Sequence, residues 1–296
     1  MIVDPRRSPA SVASCARRIP GSGDALGYHA VKRSKRCCVV LEQNAPLAVD
    51  SEQFERDGYL VLRQFVGRQA LQELRAVVDA ALTPLLAPAE FESDVGYPGA
   101  PADRTAEGGA TPRRLLHALS RNSALRAFAT SKRLGDCIRS LLGVPQVLVS
   151  QSHHNCIMTK HPGYSSRTGW HQDIRYWSFD RPALISTWLA FGSETLANGG
   201  LLVIPESHRL DLDRGRLDAA LFLREDLAAN RALIERAKPV LLEAGDLLLF
   251  HCRLFHAAGA NRSSEAKLSL VFTCHAEDNH AIPGTRSAHY PALALA

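Results

Sequence analysis

The sequence predicts a mostly β domain with flanking helices, and the spacing of its apolar residues is the main reason. Residues 68–86 carry apolar side chains at helical spacing, and helical stretches follow near 113–142. From residue 146 onward, short apolar runs rich in valine and leucine alternate with turn residues, which is typical of an antiparallel sheet. The predicted strands are 146–150, 155–159, 183–191, 240–250 (a hairpin) and 267–275.

The segment before the sheet contains a recognisable helix start. Asp50 can cap the backbone of a short helix that ends at Asp57, and Gln53 stands three residues further on, as in a capping box. A strand is predicted at 59–63, directly after this helix.

Two longer segments interrupt the predicted elements, and one short turn lies inside the hairpin. Residues 87–111 are rich in Pro, Gly and Ala without a period, so we predict a functional loop that covers the mouth of the domain as a substrate lid. Residues 206–237 are charged and form an insertion between strands. Gly245 and Asp246 supply the turn of the predicted hairpin.

The basic charge of the chain belongs to its N-terminal end. Residues 1–40 hold eight Lys or Arg against two acidic residues, whereas the remainder holds 27 basic and 28 acidic residues. We therefore expect no nucleic-acid partner. We predict a disordered basic tail over 1–45, one domain over 46–280 with its sheet core at about 145–275, and a C-terminal tail over 281–296.

Composition limits the class of protein further. The chain is 46% hydrophobic and 22% charged, as expected of a globular domain, and no apolar run approaches the span of a bilayer. The seven cysteines are odd in number and scattered, which argues against a disulfide framework. We predict a cytoplasmic protein that does not engage a membrane.

A candidate metal site is the most informative feature of the sequence. His171 and Asp173 are two residues apart, so on an extended segment their side chains point the same way. A third ligand must come from across the fold, and His251 and His256 are five apart, so at most one faces inward on a regular strand. We choose His256, because the small residues 257–259 let the backbone approach a ligand. Two His and one carboxylate hold non-haem Fe(II) and leave positions open for oxygen and substrates.

Three blocks of the sequence resemble a known family. They are residues 171–182, 198–209 and 256–263, and they agree in order and approximate spacing with the phytanoyl-CoA dioxygenase family, which includes ectoine hydroxylase and bacterial natural-product hydroxylases. The resemblance covers about residues 50–275. It implies a double-stranded β-helix (a cupin-like jelly roll), Fe(II), 2-oxoglutarate as co-substrate, and O2.

The resemblance also implies roles for individual residues. His171, Asp173 and His256 match the iron ligands of the family. Ser186 and Trp188 fall where family members line the co-substrate pocket, and their even offset agrees with both facing inward. Plain core packing explains Trp188 equally well.

The residues expected to bind the co-substrate and the substrate match the family pattern less closely than the metal ligands do. Eleven residues after His256 the family usually has an Arg that pairs with the far carboxylate of 2-oxoglutarate, and this chain has Lys267. A lysine offers one point charge where an arginine offers a planar fork. A local gap in the alignment leaves Arg262 as the alternative. Trp177 matches an aromatic position at the active-site mouth or packs on the rim, and Arg175 faces an anionic substrate or solvent.

We therefore predict an Fe(II)- and 2-oxoglutarate-dependent dioxygenase. It would hydroxylate an unactivated C–H bond of a small organic molecule and release succinate and CO2. Retention of Asp173 argues against halogenation, because related halogenases lack the carboxylate. Two alternatives stay open: a cupin-fold metal protein with non-oxidative chemistry, and an inactive family member that acts as a binding module. Lys267 is the residue that keeps the second alternative open.

Overall fold

The computed structural model describes residues 48–97 and 100–296. The predicted disordered tail over 1–45 lies outside the described residues. Within the described part, no helix has both the length and the apolar content needed to cross a membrane. Four cysteines of that part are buried free thiols: Cys137, Cys156, Cys252 and Cys274. The cytoplasmic location stays a prediction.

The helices lie mainly before the sheets in the sequence, as predicted. They are α1 Ser51–Asp57, α2 Arg68–Leu82, α3 Ala118–Arg121, α4 Ser123–Ala129, α5 Lys132–Leu142 and α6 Ala228–Ile234. Helix α1 begins where the sequence indicates, because the Asp50 carboxylate accepts a hydrogen bond from the Gln53 backbone N–H at 2.8 Å. It ends at Gly58, whose φ of +80° is readily adopted only by a residue without a side chain.

The described residues form thirteen strands. They are β1 Tyr59–Leu62, β2 Ala89–Phe91, β3 Pro112–Leu116, β4 Val147–Val149, β5 Cys156–Lys160, β6 Thr168–His171, β7 Leu184–Ala190, β8 Leu201–Val203, β9 Lys238–Pro239, β10 Leu247–His251, β11 His256–Ala258, β12 Lys267–Ala276 and β13 Leu293–Ala294.

The strands form two antiparallel sheets. The larger has the order β1-β10-β7-β12-β5-β3-β2, with β4 pairing both β12 and β13, and the smaller has the order β6-β11-β8-β9. A core cluster joins them: Trp188 and Val271 of the large sheet pack with Val203 and Ala258 of the small one. Two antiparallel sheets with a shared interior form the predicted jelly roll.

Strand β12 shows how the sheet separates its two faces. Leu268, Leu270 and Phe272 pack in the cluster that contains α2, α4 and α5, so these helices cover the outer face of the large sheet. The alternate positions, which begin at Lys267 and Ser269, point into the interior between the sheets. All ten residues of β12 are buried. Polar side chains on its inner face are therefore enclosed in the molecule, and such residues require partners.

The structure differs from the sequence prediction in three segments. Residues 113–116, predicted within the helical stretch near 113–142, belong to β3, because they pair with β2 and β5. No hairpin spans residues 240–250, because Leu242 bridges to Glu194 while β10 pairs with β1 and β7. Gly245 does supply the predicted turn, with a φ of +91°. Residues 281–296 do not form a separate tail, since β13 pairs with β4 and Leu295 is buried. The pairing partners of the last two segments are distant in sequence.

Both segments that interrupt the elements acquire local structure. The insertion between β8 and β9 contains two short 3-10 turns, Ser207–Arg209 and Arg214–Arg216, and helix α6. The predicted loop over 87–111 contains β2 and a 3-10 turn at Glu92–Asp94.

Candidate metal and co-substrate site

The three predicted metal ligands lie together at the edge of the small sheet. His171 ends β6, His256 begins β11, and the two residues are directly paired across these strands. Gln172 keeps an extended backbone (φ −111°, ψ 139°), so Asp173 lies on the same side as His171 although a 3-10 turn begins there. One ligand atom from each residue lies within 4.8 Å of those of the other two. The side chains are all buried.

Hydrogen bonds fix the two histidine rings in the form that a metal requires. Nδ1 of His171 donates to the Gly169 carbonyl at 2.9 Å, and Nδ1 of His256 donates to the Leu254 carbonyl at 3.0 Å. A carbonyl only accepts, so each Nδ1 carries the proton and each Nε2 keeps its lone pair. These Nε2 atoms lie 3.9 and 3.6 Å from Oδ1 of Asp173.

The charge states of the site also suit a divalent cation. Burial and the neighbouring His256 ring hold the pKa of His171 well below its ordinary value, so this ring is neutral. Burial alone raises the pKa of Asp173, but His154 and the other two histidines outweigh it, and the net pKa is lowered. Neutral imidazole and ionised carboxylate are the forms that bind metal. The residues present therefore fit Fe(II).

Two further side chains hold the Asp173 carboxylate. The Ser186 hydroxyl donates to Oδ2 at 2.7 Å, and Nε2 of His154 lies 3.4 Å from Oδ1. Ser186 thus contacts Asp173 and is not among the residues that line the first cavity. The co-substrate role that the resemblance implied for Ser186 stays a prediction. His154 has a φ of +45°, which is uncommon for a residue with a side chain and is found at functional sites.

The competing histidine lies outside the triad. The His251 ring packs 5.3 Å from the His208 ring, centroid to centroid, and its Nδ1 accepts a hydrogen bond from the Arg253 backbone at 3.1 Å. His251 therefore contacts His208 and Arg253 and not the triad. The choice of His256 from the sequence agrees with this geometry.

A first cavity extends from the triad into the interior between the sheets. Its wall includes Trp188, Lys160, Lys267 and Arg113. The Arg262 side chain is exposed and is not among the residues that line this cavity. Lys267, not Arg262, therefore lies where a co-substrate carboxylate could be held.

A buried carboxylate that the sequence patterns did not indicate accompanies Lys267. Glu194 lies in the loop after β7, and its Oε2 is 3.0 Å from the Lys267 ammonium. The Trp188 indole donates to Glu194 Oε1 at 3.0 Å, and the Ser269 hydroxyl donates to the same oxygen at 2.7 Å. Trp188 therefore has a polar partner as well as a packing role. No spacing rule links a loop acid to a strand lysine 73 residues away.

A second, larger cavity of about 440 Å³ adjoins the first. Both are lined by Tyr97, Arg114, His154 and Tyr176. Arg175 and Trp177, the predicted substrate residues, line the second cavity. Tyr97, from the predicted lid segment 87–111, contributes to both, which agrees with a covering role for that segment.

Relatives of known function support this interpretation of the site. The sequence profile of the family described as phytanoyl-CoA dioxygenase (PhyH) matches residues 54–269. An ectoine dioxygenase of Halomonas elongata is 29% identical over 261 residues, which cover 81% of this chain and 74% of that protein. A methylphosphonate hydroxylase of Gimesia maris is 25% identical over 227 residues, 76% of this chain and 79% of that protein.

Solved structures share the fold at lower identity. EctD from S. alaskensis, crystallised with 2-oxoglutarate and 5-hydroxyectoine, has a TM-score of 0.65 at 22% identity and covers 81% of this chain and 80% of its own. The epimerase SnoN, crystallised with Fe3+, alpha ketoglutarate and nogalamycin RO, has a TM-score of 0.63 at 20% identity, over 79% and 84% of the two chains. The profile match extends over more than half of the sequence. The chain belongs to the phytanoyl-CoA dioxygenase family and is a 2-oxoglutarate-dependent non-haem iron dioxygenase.

Proposed function

We propose that this protein hydroxylates an unactivated C–H bond of a small organic substrate, with His171, Asp173 and His256 as its iron ligands. The observation that carries the proposal is the buried triad on the wall of the first cavity, which shares four lining residues, among them His154, with the second cavity. One cavity can take the co-substrate, and the other can bring a substrate C–H bond to the same metal.

The role of each group at the site follows from its chemistry. Bound Fe(II) and 2-oxoglutarate supply the oxidant, with one atom of O2 entering succinate, which leaves with CO2, and the other entering the product. Three protein ligands leave the remaining coordination positions to the co-substrate and oxygen. Ser186 and His154 fix the orientation of Asp173, so its Oδ1 stays directed toward the two His Nε2 atoms.

The second cavity supports a substrate that carries an anionic group beside an apolar part. The Arg175 guanidinium lies over the Phe222 ring at 3.9 Å and the Tyr176 ring at 4.4 Å. Its Nη1 is buried and has no hydrogen-bond partner among the described residues. A buried donor without a partner is costly unless a ligand satisfies it. Trp177 lies on the same wall and offers apolar contact.

The test is a succinate assay with Fe(II), 2-oxoglutarate and O2 over a panel of small molecules matched in size, with and without a carboxylate or phosphonate group. We expect anionic members of the panel to give succinate and hydroxylated product in equal amounts. Hydroxylation of only the neutral members would overturn the anionic substrate class. Absence of succinate both with and without every substrate, while iron binds, would favour the binding-module alternative.

A further inference from the structure

The C-terminal segment, residues 281–296, forms part of the wall of the second cavity. Arg286, His289 and Tyr290 of this segment line the cavity. All three residues are exposed, so they border the opening of the cavity to solvent. The segment that the sequence analysis treated as a tail therefore lies where an entering substrate would meet it.

Hydrogen bonds hold the C-terminal segment in place on this wall. The buried Ser287 hydroxyl lies 2.7 Å from Nε2 of His153 and accepts a hydrogen bond from the Ser178 backbone N–H at 2.8 Å. Further along the segment, β13 pairs with β4. Arg286 directly precedes the serine that makes both contacts, so its backbone position at the cavity is fixed.

The acidic residues of the second cavity already have cationic partners. Among the described residues, Glu90 and Asp94 are the acids that line it. The Glu90 carboxylate lies 3.2 Å from the Arg114 guanidinium, and the Asp94 carboxylate lies 2.7 Å from that of Arg104. Each pair is neutral as a whole, so neither acid compensates a further cation of the wall.

Two arginines of the same cavity have no counter-charge. Arg175 has a buried Nη1 without a hydrogen-bond partner. The Arg286 side chain makes no hydrogen bond or ion pair within the part of the chain that the structure describes. The wall therefore carries two uncompensated positive charges. A cleft with an excess of one charge attracts a ligand of the opposite charge, in this case one with two negative charges.

The two arginines lie toward different ends of the cavity. The Arg175 guanidinium lies over the Phe222 ring, and that ring is 5.6 Å from the ring of the metal ligand His171, centroid to centroid. Arg175 thus belongs to the metal end, whereas the exposed Arg286 belongs to the solvent end. Trp177 lines the same cavity with apolar surface. This arrangement fits an elongated molecule that is charged at both ends and apolar in the middle.

We infer that the second cavity selects a substrate with two anionic groups joined by an apolar stretch, one group bound by Arg175 and the other by Arg286. The inference rests on the proposed function, in which the second cavity takes the substrate, and it narrows the substrate class from an anion to a dianion. Arg286 is then a specificity-determining residue that the C-terminal segment contributes.

The experiment is calorimetric titration of straight-chain α,ω-dicarboxylates, from glutarate to sebacate, each compared with its own monomethyl ester. The two members of such a pair have the same chain and differ by one negative charge. The full-length protein is loaded with Mn(II) and saturated with 2-oxoglutarate, so the dicarboxylates cannot occupy the co-substrate site. A pH of about 8 keeps unperturbed histidines neutral. We expect at least one dicarboxylate to bind roughly tenfold more tightly than its ester.

Variants of Arg286 show whether this residue causes the preference. Arg286→Met should bind the dicarboxylate no more tightly than the ester, while its affinity for the ester stays at the wild-type value. Arg286→Lys keeps the charge and should retain most of the preference. Arg126→Met is the matched control, because Arg126 is an exposed arginine of α4 that lines neither cavity.

The outcomes separate this inference from the proposed function. Equal affinity of every dicarboxylate and its ester in the wild type would overturn the inference, as would a preference that survives in Arg286→Met. If that variant does not fold, the wild-type comparison decides the matter. Arg286-dependent binding of a dicarboxylate, in a protein that hydroxylates no member of the substrate panel, would leave the inference standing and overturn the proposed hydroxylation. Hydroxylation of neutral molecules alone would do the reverse.

Discussion

The Lys267 ammonium lies 3.0 Å from the Glu194 carboxylate, and both side chains are almost fully buried. The cation that the family resemblance assigns to the co-substrate is therefore already paired within the protein. Glu194 is held in turn by the Trp188 indole and the Ser269 hydroxyl. Because Glu194 already neutralises Lys267, this lysine attracts a carboxylate ligand less strongly. The affinity for such a ligand therefore depends on the other charges that line the cavity.

Replacing Glu194 should strengthen co-substrate binding. Glu194→Gln keeps the size of the side chain but removes the charge that compensates Lys267, so 2-oxoglutarate should bind roughly tenfold more tightly. The free energy of unfolding should fall by about 3–5 kcal/mol without ligand, because a buried cation loses its partner. Calorimetry and chemical denaturation measure the two effects. Glu206→Gln, an exposed partner of Arg236, is the control. Weaker binding in Glu194→Gln would mean that Glu194 chiefly positions Lys267.

Replacing Lys267 should have the opposite effect. Lys267→Ala removes a charge-assisted contact worth about 1.5–3 kcal/mol and raises the 2-oxoglutarate KM by roughly ten- to a hundredfold. Iron affinity should not change. Arg262→Ala should leave the KM at the wild-type value, because that side chain is exposed. The reverse pattern in the two variants would transfer the carboxylate role to Arg262.

The assignment of the metal ligands can be tested with His251, five residues before His256, as the control. His171→Ala, Asp173→Ala and His256→Ala should each abolish stoichiometric Fe(II) binding under anaerobic conditions, because an incomplete triad no longer fixes the ion. His251→Ala should retain it, since the His251 ring packs against His208. Iron content after desalting is the measurement. Loss of iron from His251→Ala alone would refute the triad.

The Ser186 hydroxyl should control metal affinity without touching the metal. Ser186→Ala removes the 2.7 Å hydrogen bond to Asp173, and loss of such an outer contact typically weakens metal binding by about 10–100-fold. Competition with a fluorescent chelator measures the Mn(II) dissociation constant. Ser193→Ala, at an exposed loop position, should match the wild type. An unchanged metal constant in Ser186→Ala, accompanied by weaker 2-oxoglutarate binding, would restore the co-substrate role that the family resemblance implies.

Arg175 should affect the substrate and not the co-substrate. Arg175→Met preserves the apolar stem over Phe222 but removes the guanidinium, so the KM for an anionic substrate should rise by on the order of tenfold or more. The dissociation constant of 2-oxoglutarate should stay constant. Steady-state kinetics on the panel substrate that gives hydroxylated product provides the readout, with Arg75→Met on the exposed face of α2 as control. An equal effect on neutral and anionic substrates would exclude charge recognition.

Local spacing in the sequence determines much of the metal site. The two-residue offset of His171 and Asp173 places them on one side of an extended segment, and this depends only on strand geometry. The Asp50 cap of α1 is likewise local, because Asp50 accepts a hydrogen bond from Gln53, three residues further along the chain. On a continuous strand, the five-residue offset of His251 and His256 would let at most one of them face inward. The structure places His251 at the end of β10 and His256 at the start of β11, so this rule does not decide between them.

Only the tertiary structure decided which distant residues meet. The register between β6 and β11 pairs His256 with His171, and the register between β5 and β12 places Lys160 opposite Lys267. Glu194 reaches Lys267 from a loop, where no periodicity governs side-chain direction. Short-range geometry in the sequence therefore determined the relative placement of His171 and Asp173, whereas long-range strand pairing brings His256 to them. The charges around the co-substrate cavity arise from long-range strand pairing and loop closure, which packing of the whole domain fixes.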